Sequence, residues 1–318
     1  MAKPPILISG CPRSGTTFCG NIISKVPEVF EVYEPFNPDF TYHFDLPSKF
    51  FKITKENEAR YKPQIDRLLT LANSAQRWRH LPRGAMERLT SSKDMISALS
   101  LKKLAQDRDS FLKASRISIK DPIAFFSADW LAKTYDAKVV MMCRHPGGVV
   151  SSFLNLGWES ETQFIVDHPL PLSDGKFDQE IAAWRKAPED KVGAVILQWK
   201  LFTQATLDWA KMHPDWFFCL HDQLCDYPVE MFRAIFSSID LPFTAEIEAQ
   251  IRADTGASNI VDPGTHTQHN LQRQSAELKE QWRKRLDSET TVRILKETEA
   301  LWDEASRVFS VDLSRAAA

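Results

Sequence analysis

The fold is decided by one stretch near the start of the chain, Ile6-Leu7-Ile8-Ser9-Gly10-Cys11-Pro12-Arg13-Ser14-Gly15-Thr16-Thr17. Its first part, Ile6–Ser9, is short and apolar, which is typical of a strand buried on both faces. The residues from Thr17 to Lys25 predict a helix. A Gly-x-x-x-x-Gly turn lies between the two, so the stretch has the strand, turn and helix of a phosphate-binding loop. Backbone N–H groups of such a turn curl around an anion, and the positive end of the helix dipole favours a phosphate there.

The side chains of this loop narrow the class of ligand. A nucleotide triphosphatase has a lysine at the position of Thr16, where it reaches the β- and γ-phosphates, and binds magnesium at the position of Thr17. Here the only cation inside the loop is Arg13. The loop therefore argues against ATP or GTP with magnesium. A glycine turn that only connects a strand to a helix is the alternative interpretation.

Apolar runs and helical patterns alternate along the rest of the chain, which favours a mostly parallel sheet. The further predicted strands are Val29–Tyr33, Ile117–Ile119, Lys138–Cys143 and Trp216–Leu220. Helices are predicted between Gln179 and Met212 (one or two), from Pro228 to Ile239 and over Ala276 to Phe309. We predict an α/β fold, a P-loop-like three-layer sandwich with a central, mostly parallel five-stranded sheet flanked by helices.

We expect residues 1–318 to form a single domain with a helical, substrate-side insertion at about 40–115. The insertion contains a basic cluster that either binds an anionic acceptor or forms a solvated helix face. That cluster consists of Arg77, Arg79, His80, Arg83 and Arg88. A second long segment, from Gly157 to Phe177, has the length and composition of a lid over bound substrate.

Composition excludes several classes of protein. The 318 residues are 43% hydrophobic and 26% charged, as in a typical globular chain. The 40 lysines and arginines nearly cancel the 42 aspartates and glutamates, so we expect no nucleic-acid partner. The apolar run from Pro4 to Ile8 is far shorter than the roughly 20 residues that span a bilayer, and we expect a cytoplasmic protein without a transmembrane segment. Five cysteines without a Cys-x-x-Cys pair are expected to be buried and reduced.

A second anion-binding pattern follows the predicted strand Lys138–Cys143. The sequence continues as Arg144-His145-Pro146-Gly147-Gly148-Val149-Val150-Ser151-Ser152. A helix that begins after Pro146 places Ser152 about two turns downstream. We therefore predict that Arg144 and Ser152 converge on one phosphate, and we interpret His145 as a turn residue.

Together these motifs resemble the sulfotransferases that use 3′-phosphoadenylyl sulfate (PAPS). The shared features are a Pro-Arg-Ser-Gly-Thr-Thr loop at the first strand, an Arg-x-Pro sequence and a serine eight residues after that arginine. The resemblance implies that the 5′-phosphosulfate is bound by the loop residues Arg13, Ser14, Gly15, Thr16 and Thr17. It implies further that Arg144 and Ser152 bind the 3′-phosphate.

Further matches extend over most of the chain outside the insertion, at Lys120-Asp121-Pro122, His221-Asp222-Gln223-Leu224 and Gln274-Ser275. The order of motifs is most similar to the tyrosylprotein sulfotransferases and to related bacterial and carbohydrate enzymes. In those enzymes an arginine of the loop, a glutamate after the second strand and a lysine before Asp-Pro surround the sulfuryl group. The resemblance implies this role for Arg13, Glu34 and Lys120. It also implies that Ser275 donates its hydroxyl to the phosphosulfate and that His221 replaces the tyrosine more often found beside the adenine.

Sulfuryl transfer, like phosphoryl transfer, develops negative charge that fixed cations must stabilise. Arg13 and Lys120 supply those cations, so we expect PAPS as the co-substrate and no metal. Glu34, in Tyr33-Glu34-Pro35-Phe36-Asn37, is the predicted general base, because aromatic neighbours desolvate a carboxylate and raise its basicity. Arg13, Glu34, Lys120, Arg144 and His221 each follow a different predicted strand, and an open α/β sheet binds its ligand at that edge.

Several of these residues also have a structural interpretation. Glu34 is a surface carboxylate in that interpretation, Lys120 is paired with Asp121 or another carboxylate, and Ser275 is a helix N-cap. His43 and His80 are alternative bases, but the sequence identifies no partner for either of them.

The sequence thus predicts a PAPS-dependent sulfotransferase that forms a sulfate ester on a hydroxyl acceptor. A carbohydrate or glycolipid is the preferred acceptor, because Trp158, Trp184 and Trp282 suit stacking on sugars, although tryptophans at helical spacing are more often core residues. A peptide tyrosine or a small-molecule hydroxyl is the alternative acceptor. The rival functions are a P-loop kinase-like phosphotransferase and a noncatalytic nucleotide-binding protein. We expect a monomer or a homodimer.

Overall fold

The computed structural model of the chain describes residues 3–39, 44–71, 114–166, 175–256 and 275–313. The strands are β1 (Ile6–Gly10), β2 (Val29–Tyr33), β3 (Arg116–Lys120), β4 (Lys138–Cys143) and β5 (Phe217–Leu220). They form one sheet in the order β2-β3-β1-β4-β5, and β3 is parallel to both β1 and β2 while β4 is parallel to β5. The predicted α/β fold with a central, mostly parallel five-stranded sheet flanked by helices is confirmed. The predicted bounds of β2 and β4 are also confirmed, β1 and β5 differ from their predictions by one residue at one end, and β3 is one residue longer at each end.

Helices separate the strands. Before β4 they are α1 (Thr16–Ile23), α2 (Glu58–Leu71), a 3₁₀ turn (Phe125–Ser127) and α3 (Ala128–Tyr135). Between β4 and β5 they are α4 (Pro146–Leu156), α5 (Thr162–Val166), α6 (Asp178–Lys186) and α7 (Lys191–Met212). After β5 they are α8 (His221–Asp226), α9 (Pro228–Ser238), α10 (Ala245–Thr255), α11 (Ser275–Leu278), α12 (Gln281–Arg285) and α13 (Ser288–Phe309).

Capping side chains explain two of the helix boundaries. The helical region predicted between Gln179 and Met212 is two helices, because Asp190 caps α7 by accepting a hydrogen bond from Gly193 N at 2.9 Å. The region predicted from Ala276 to Phe309 is three helices, the last of which begins after Asp287, whose Oδ1 accepts from Thr290 N at 2.7 Å. A carboxylate at this position satisfies an N–H group that has no partner within the helix.

The two long segments are described in part. Within the predicted insertion at about 40–115, the structure describes residues 44–71 and 114–115, and α2 lies in this part. The basic cluster from Arg77 to Arg88, together with His43 and His80, lies outside the described residues. In the segment from Gly157 to Phe177, residues 162–166 form α5, and residues 167–174 lie outside the described residues.

Contacts divide the chain into two compact units. The first contains Met1–Ser9 and Cys19–Val139. Its core is the sheet of β2, β3 and β1, in which Ile6 pairs with Ser118 and Tyr33 pairs with Lys120. β1 and β3 are buried along their whole length, as the short apolar run of β1 predicts.

Asp121 fixes the two segments that follow β2 and β3 in the first unit. Its buried carboxylate accepts hydrogen bonds from Phe36 N at 2.6 Å, Ile123 N at 2.8 Å and Ala124 N at 3.1 Å. Because buried N–H groups must be paired, this one side chain holds the turn after β2 against the end of β3.

The second unit contains Gly10–Phe18 and Val140–Ala318. β4 and β5 pair within it, and α7 carries its largest set of buried side chains. Trp199 of α7 is fully buried and donates from Nε1 to the carbonyl oxygen of Arg144 at 2.8 Å. This bond fixes the backbone at the point where β4 ends.

The five cysteines are buried and free, as predicted from their number and spacing. Of the helices that the structure describes, none is long and apolar enough to cross a membrane.

Replacing Asp121 with alanine should destabilise the protein strongly. Three buried N–H groups lose their acceptor, and we expect the free energy of unfolding to fall by about 3 kcal/mol or more, because each orphaned donor keeps its desolvation cost. Urea unfolding measures the change. The control is Asp129→Ala, which removes a partly exposed pair with Lys133, worth about 0.5 kcal/mol. Equal losses in the two variants would contradict this role of Asp121.

Candidate functional site

The phosphate-binding loop lies in the second unit, and its backbone is tightly constrained. Arg13 has a φ of 72°, in the left-handed region that residues other than glycine seldom occupy. Ser14 N donates to Cys11 O at 3.1 Å and closes the turn. Gly10 has a φ of 150°, and a Cβ there would overlap Met142 O. Backbone strain held in place by its surroundings is typical of ligand-binding loops.

Inside the loop, one buried hydroxyl lacks the partner that a bound anion would supply. Ser14 is fully buried, and its Oγ has no hydrogen-bond partner. Thr16 and Thr17 begin α1, so the positive end of that helix meets the loop. A buried hydroxyl without a partner is costly. The loop therefore fits an oxyanion, as its sequence predicts.

Two arginines and a serine meet beside the loop. Arg13 Nε donates to Ser152 Oγ at 2.9 Å, and Arg144 Nη1 donates to the carbonyl oxygen of Arg13 at 3.0 Å. The guanidinium of Arg13 also lies 5.2 Å from the ring centre of Trp158. The structure thus brings the two predicted anion-binding patterns together and links them directly through Arg13.

Arg144 is a half-buried cation. Burial lowers the pKa of its guanidinium, the nearby Asp222 carboxylate raises it, and no residue of the described ranges forms a salt bridge with it. Burying an unpaired cation is costly unless a charged ligand offsets it. This arrangement suits a phosphate at Arg144.

His145 is the N-cap of α4. Its Nδ1 accepts a hydrogen bond from Gly147 N at 3.1 Å, and burial lowers its pKa to about 4, which keeps the ring neutral. Trp282 stacks on the ring at 4.8 Å. The prediction that Trp282 suits sugar stacking is therefore wrong, because Trp282 is buried against His145 and Gly147.

His221 and Ser275 lie in the same unit as the loop. The ring of His221 is buried against Gly15, where a Cβ would come within 2.8 Å of His221 Cδ2. Ser275 is the first residue of α11, and its hydroxyl donates to Cys225 O at 2.9 Å. The resemblance implies that the Ser275 hydroxyl donates to the phosphosulfate. In the structure this hydroxyl donates to the carbonyl oxygen of Cys225, so it must rotate before it can donate to a ligand.

Glu34 and Lys120 form a pair in the first unit. Lys120 Nζ lies 2.6 Å from Glu34 Oε1, with Lys120 1% exposed and the Glu34 side chain 13% exposed. Glu34 N also donates to Lys120 O at 2.9 Å, which continues the β2–β3 ladder. Glu34 is therefore not a surface carboxylate, and the carboxylate that pairs with Lys120 is Glu34 rather than Asp121.

Two neighbours of this pair were missed in the sequence. Asn37 Nδ2 donates to Glu34 Oε2 at 3.0 Å, and Lys120 Nζ lies 3.5 Å from the ring centre of Tyr33. The contact of Asn37 could have been predicted, because a proline directly after Glu34 signals a turn that brings Asn37 back to Glu34. Like Arg13, Glu34 has a positive φ, of 46°.

The predicted residues thus form two groups, each inside one unit. The loop, Arg144, Ser152 and His221 belong to the second unit, and Glu34 and Lys120 belong to the first. Across the parts of the chain that the structure describes, no group of three or more His, Cys, Asp or Glu side chains is arranged to hold a metal ion.

Solved structures similar to this chain include several sulfotransferases. The sulfotransferase domain from the curacin biosynthetic pathway is 14% identical, with a TM-score of 0.43, and the match covers 94% of this chain and 98% of that one. A sulfotransferase from Alicyclobacillus acidocaldarius is 15% identical, with a TM-score of 0.42 and full coverage of both chains. Mouse sulfotransferase SULT7A1, complexed with PAP, is 13% identical, with a TM-score of 0.41 and coverage of 96% and 84%. No curated protein matches the sequence.

The family assignment rests on the sequence itself. The sequence model of the Sulfotransferase family matches residues 4–245, which include the phosphate-binding loop, both arginines and the Glu34–Lys120 pair. The chain therefore belongs to the sulfotransferase family and is an enzyme that transfers sulfuryl groups.

Proposed function

We propose that this sulfotransferase moves the sulfuryl group of PAPS to a hydroxyl acceptor, giving a sulfate ester and adenosine 3′,5′-bisphosphate. The observation that carries the proposal is the linked pair of anion-binding patterns in the second unit, where Arg144 and Ser152 both hydrogen-bond to Arg13. A donor with phosphates at both the 5′ and 3′ positions accounts for two such patterns, whereas a ligand with one phosphate accounts for one.

The proposed donor contacts follow from this arrangement. The loop from Arg13 to Thr17 binds the 5′-phosphosulfate through backbone N–H groups, the Ser14 hydroxyl and the end of α1. Arg144 and Ser152 bind the 3′-phosphate, because a half-buried guanidinium forms strong charge-assisted hydrogen bonds to phosphate. His221, packed on Gly15, takes the position beside the adenine.

The proposed chemistry uses Glu34 as the general base. The acceptor oxygen attacks sulfur while its proton passes to Glu34, and the bond from sulfur to the phosphate oxygen breaks with its electrons going to the leaving phosphate. Arg13 and Lys120 stabilise the charge that builds on the sulfuryl oxygens and the leaving group. Asn37 and Lys120 hold the two carboxylate oxygens of Glu34 in a fixed orientation. Ser275 is proposed as a further hydroxyl donor to the phosphosulfate.

The proposed acceptor is a carbohydrate or a glycolipid. Trp158 is 39% exposed and lies over Arg13, so it offers an aromatic face for a sugar close to a proposed sulfuryl-binding residue. Trp184 is half-buried, and Trp282 no longer supports this choice. A peptide tyrosine or a small-molecule hydroxyl remains the alternative.

We also propose that the enzyme works in the cytoplasm, as a monomer or a homodimer. The support for the compartment is the set of five buried, free cysteines, which suits a reducing environment.

Binding of adenosine 3′,5′-bisphosphate, measured by calorimetry, tests the donor assignment. We expect tight binding without metal, and binding of adenosine 5′-phosphate at least about 30-fold weaker, because it lacks the 3′-phosphate that Arg144 pairs with. ATP with magnesium is the second comparison. A preference for magnesium ATP over the bisphosphate would overturn the proposal.

Replacing Glu34 with glutamine should lower kcat by about 100-fold or more, because the amide cannot accept the acceptor proton. The affinity for the bisphosphate should stay nearly unchanged. The matched control is Glu28→Gln, a partly exposed glutamate paired with Lys3 just before β2. A parallel loss of turnover and nucleotide affinity in Glu34→Gln would refute the base assignment.

Replacing Arg144 with alanine should weaken binding of the bisphosphate by about 30-fold or more, since a charge-assisted bond to phosphate is lost. Binding of adenosine 5′-phosphate should change little. Arg233→Ala, which removes an exposed arginine paired with Glu248, serves as the control. Calorimetry measures both affinities. If Arg144→Ala weakens the binding of both nucleotides equally, Arg144 does not bind the 3′-phosphate.

A further inference from the structure

Glu31 is a half-buried residue with one buried carboxyl oxygen, Oε2, and it lies beside the Glu34–Lys120 pair without a part in the proposed chemistry. It lies in the middle of β2, where its register partner on β3 is Ser118, and Tyr33 pairs with Lys120 in the same register. Residues two apart in a strand share one face of the sheet, and register partners project to that same face. Glu31, Tyr33, Ser118 and Lys120 therefore lie on one face of the first unit.

Helix α1 covers this face at Gly20. A Cβ at Gly20 would overlap Glu31 Oε2 and would come within 2.9 Å of Lys120 Cγ. The Glu31 carboxyl and the stem of Lys120 thus lie against the same glycine. Only the absence of a side chain at Gly20 leaves room for both.

The Glu31 carboxyl is incompletely satisfied. Its Oε2 and the hydroxyl of its register partner Ser118 are both buried without a hydrogen-bond partner. A buried oxygen in this condition is costly when charged and much less costly when protonated. Meanwhile the ammonium of Lys120 is engaged by Glu34 at 2.6 Å.

Among the described residues, the titratable groups that face Glu31 are Lys120 on β3, Glu34 after β2 and Cys19 on α1. The pKa of Glu31 is raised to about 7. Burial is the main cause, Lys120 opposes the increase, and Glu34 adds to it. Burial also raises the pKa of Cys19 well above its usual range, so this thiol stays neutral.

We propose that Glu31 is a positioning residue whose carboxyl sets the net charge of the Glu34–Lys120 pair. When Glu31 is neutral, the pair has no net charge and Lys120 remains with Glu34. When Glu31 is ionised, it competes for Lys120 and the cluster carries one negative charge. This inference rests on the proposed function, in which that pair acts on an anionic donor.

The direction of the pH effect follows from the sign of these charges. As the pH rises through the pKa of Glu31, the cluster becomes negative and repels the sulfuryl group and phosphates of the donor. We expect kcat/KM for PAPS to fall by about fivefold or more across this step. Glutamine at position 31 keeps the neutral shape and removes the step.

The first test is independent of activity. The protein is labelled with ¹³C at the glutamate side-chain carboxyls and titrated by NMR. This label reports on glutamates alone, so the buried carboxyl of Asp121 does not contribute a signal. We expect one glutamate to titrate near pH 7 in the wild type and in Glu28→Gln, and its signal to be lost in Glu31→Gln. A wild-type protein in which no glutamate titrates between about pH 6 and 8 would overturn the proposal. This reading needs only the wild type, so a Glu31→Gln variant that fails to fold does not weaken it.

The second test compares pH profiles of kcat/KM for PAPS. Glu31→Gln should lack the decline above pH 7 that the wild type and Glu28→Gln share, and Glu31→Asp should restore a decline because it restores an ionisable group. A Glu31→Gln profile that falls like the wild type would refute the role. The NMR titration uses neither donor nor acceptor, so it tests Glu31 alone. The calorimetric titration with the bisphosphate tests the proposed function, and its failure would leave the NMR result on Glu31 unaffected.

Discussion

A lysine that is 1% exposed must be paired, and the pairing of Lys120 with Glu34 constrains much of the first unit. The pair forms only because β2 and β3 are parallel with Tyr33 opposite Lys120, which brings the residue after β2 to the end of β3. Asp121, the next residue, then holds the turn after Glu34 through three backbone N–H groups. Removing either Lys120 or Glu34 would leave the other residue charged without its partner, so we expect the loss of either one to destabilise the first unit.

In the second unit, the predicted phosphate-binding loop carries little fixed charge of its own. Arg13 is the only cation of the loop, and its side chain is directed at Ser152 while its carbonyl accepts from Arg144. Small residues make the arrangement possible, since Gly10 lies against Met142 O and Gly15 against the ring of His221. The Ser14 hydroxyl is buried in this loop without a hydrogen-bond partner, which suits a bound oxyanion.

Local patterns were sufficient for the sheet and for most of the candidate site. The apolar runs of β2 and β4 gave their bounds, and the glycine- and proline-containing turns after β1 and β4 drew attention to Arg13, Arg144 and Ser152, which the structure brings together. Capping, by contrast, divided long helical patterns that periodicity alone leaves continuous, as at Asp190 and Asp287. Trp282 was misjudged because its partner, His145, is distant in the sequence, and no local pattern encodes that contact.

By itself the sequence determined the fold class, the Gly-x-x-x-x-Gly loop without a lysine, and the family, because each depends on residues that are neighbours along the chain. Tertiary structure alone decided which carboxylate pairs with Lys120, what Arg13 contacts, and why Glu31 is held beside Lys120 without a complete set of partners. The reason is physical: charge, burial and pKa depend on distances between side chains, and those distances are set by strand register and helix packing.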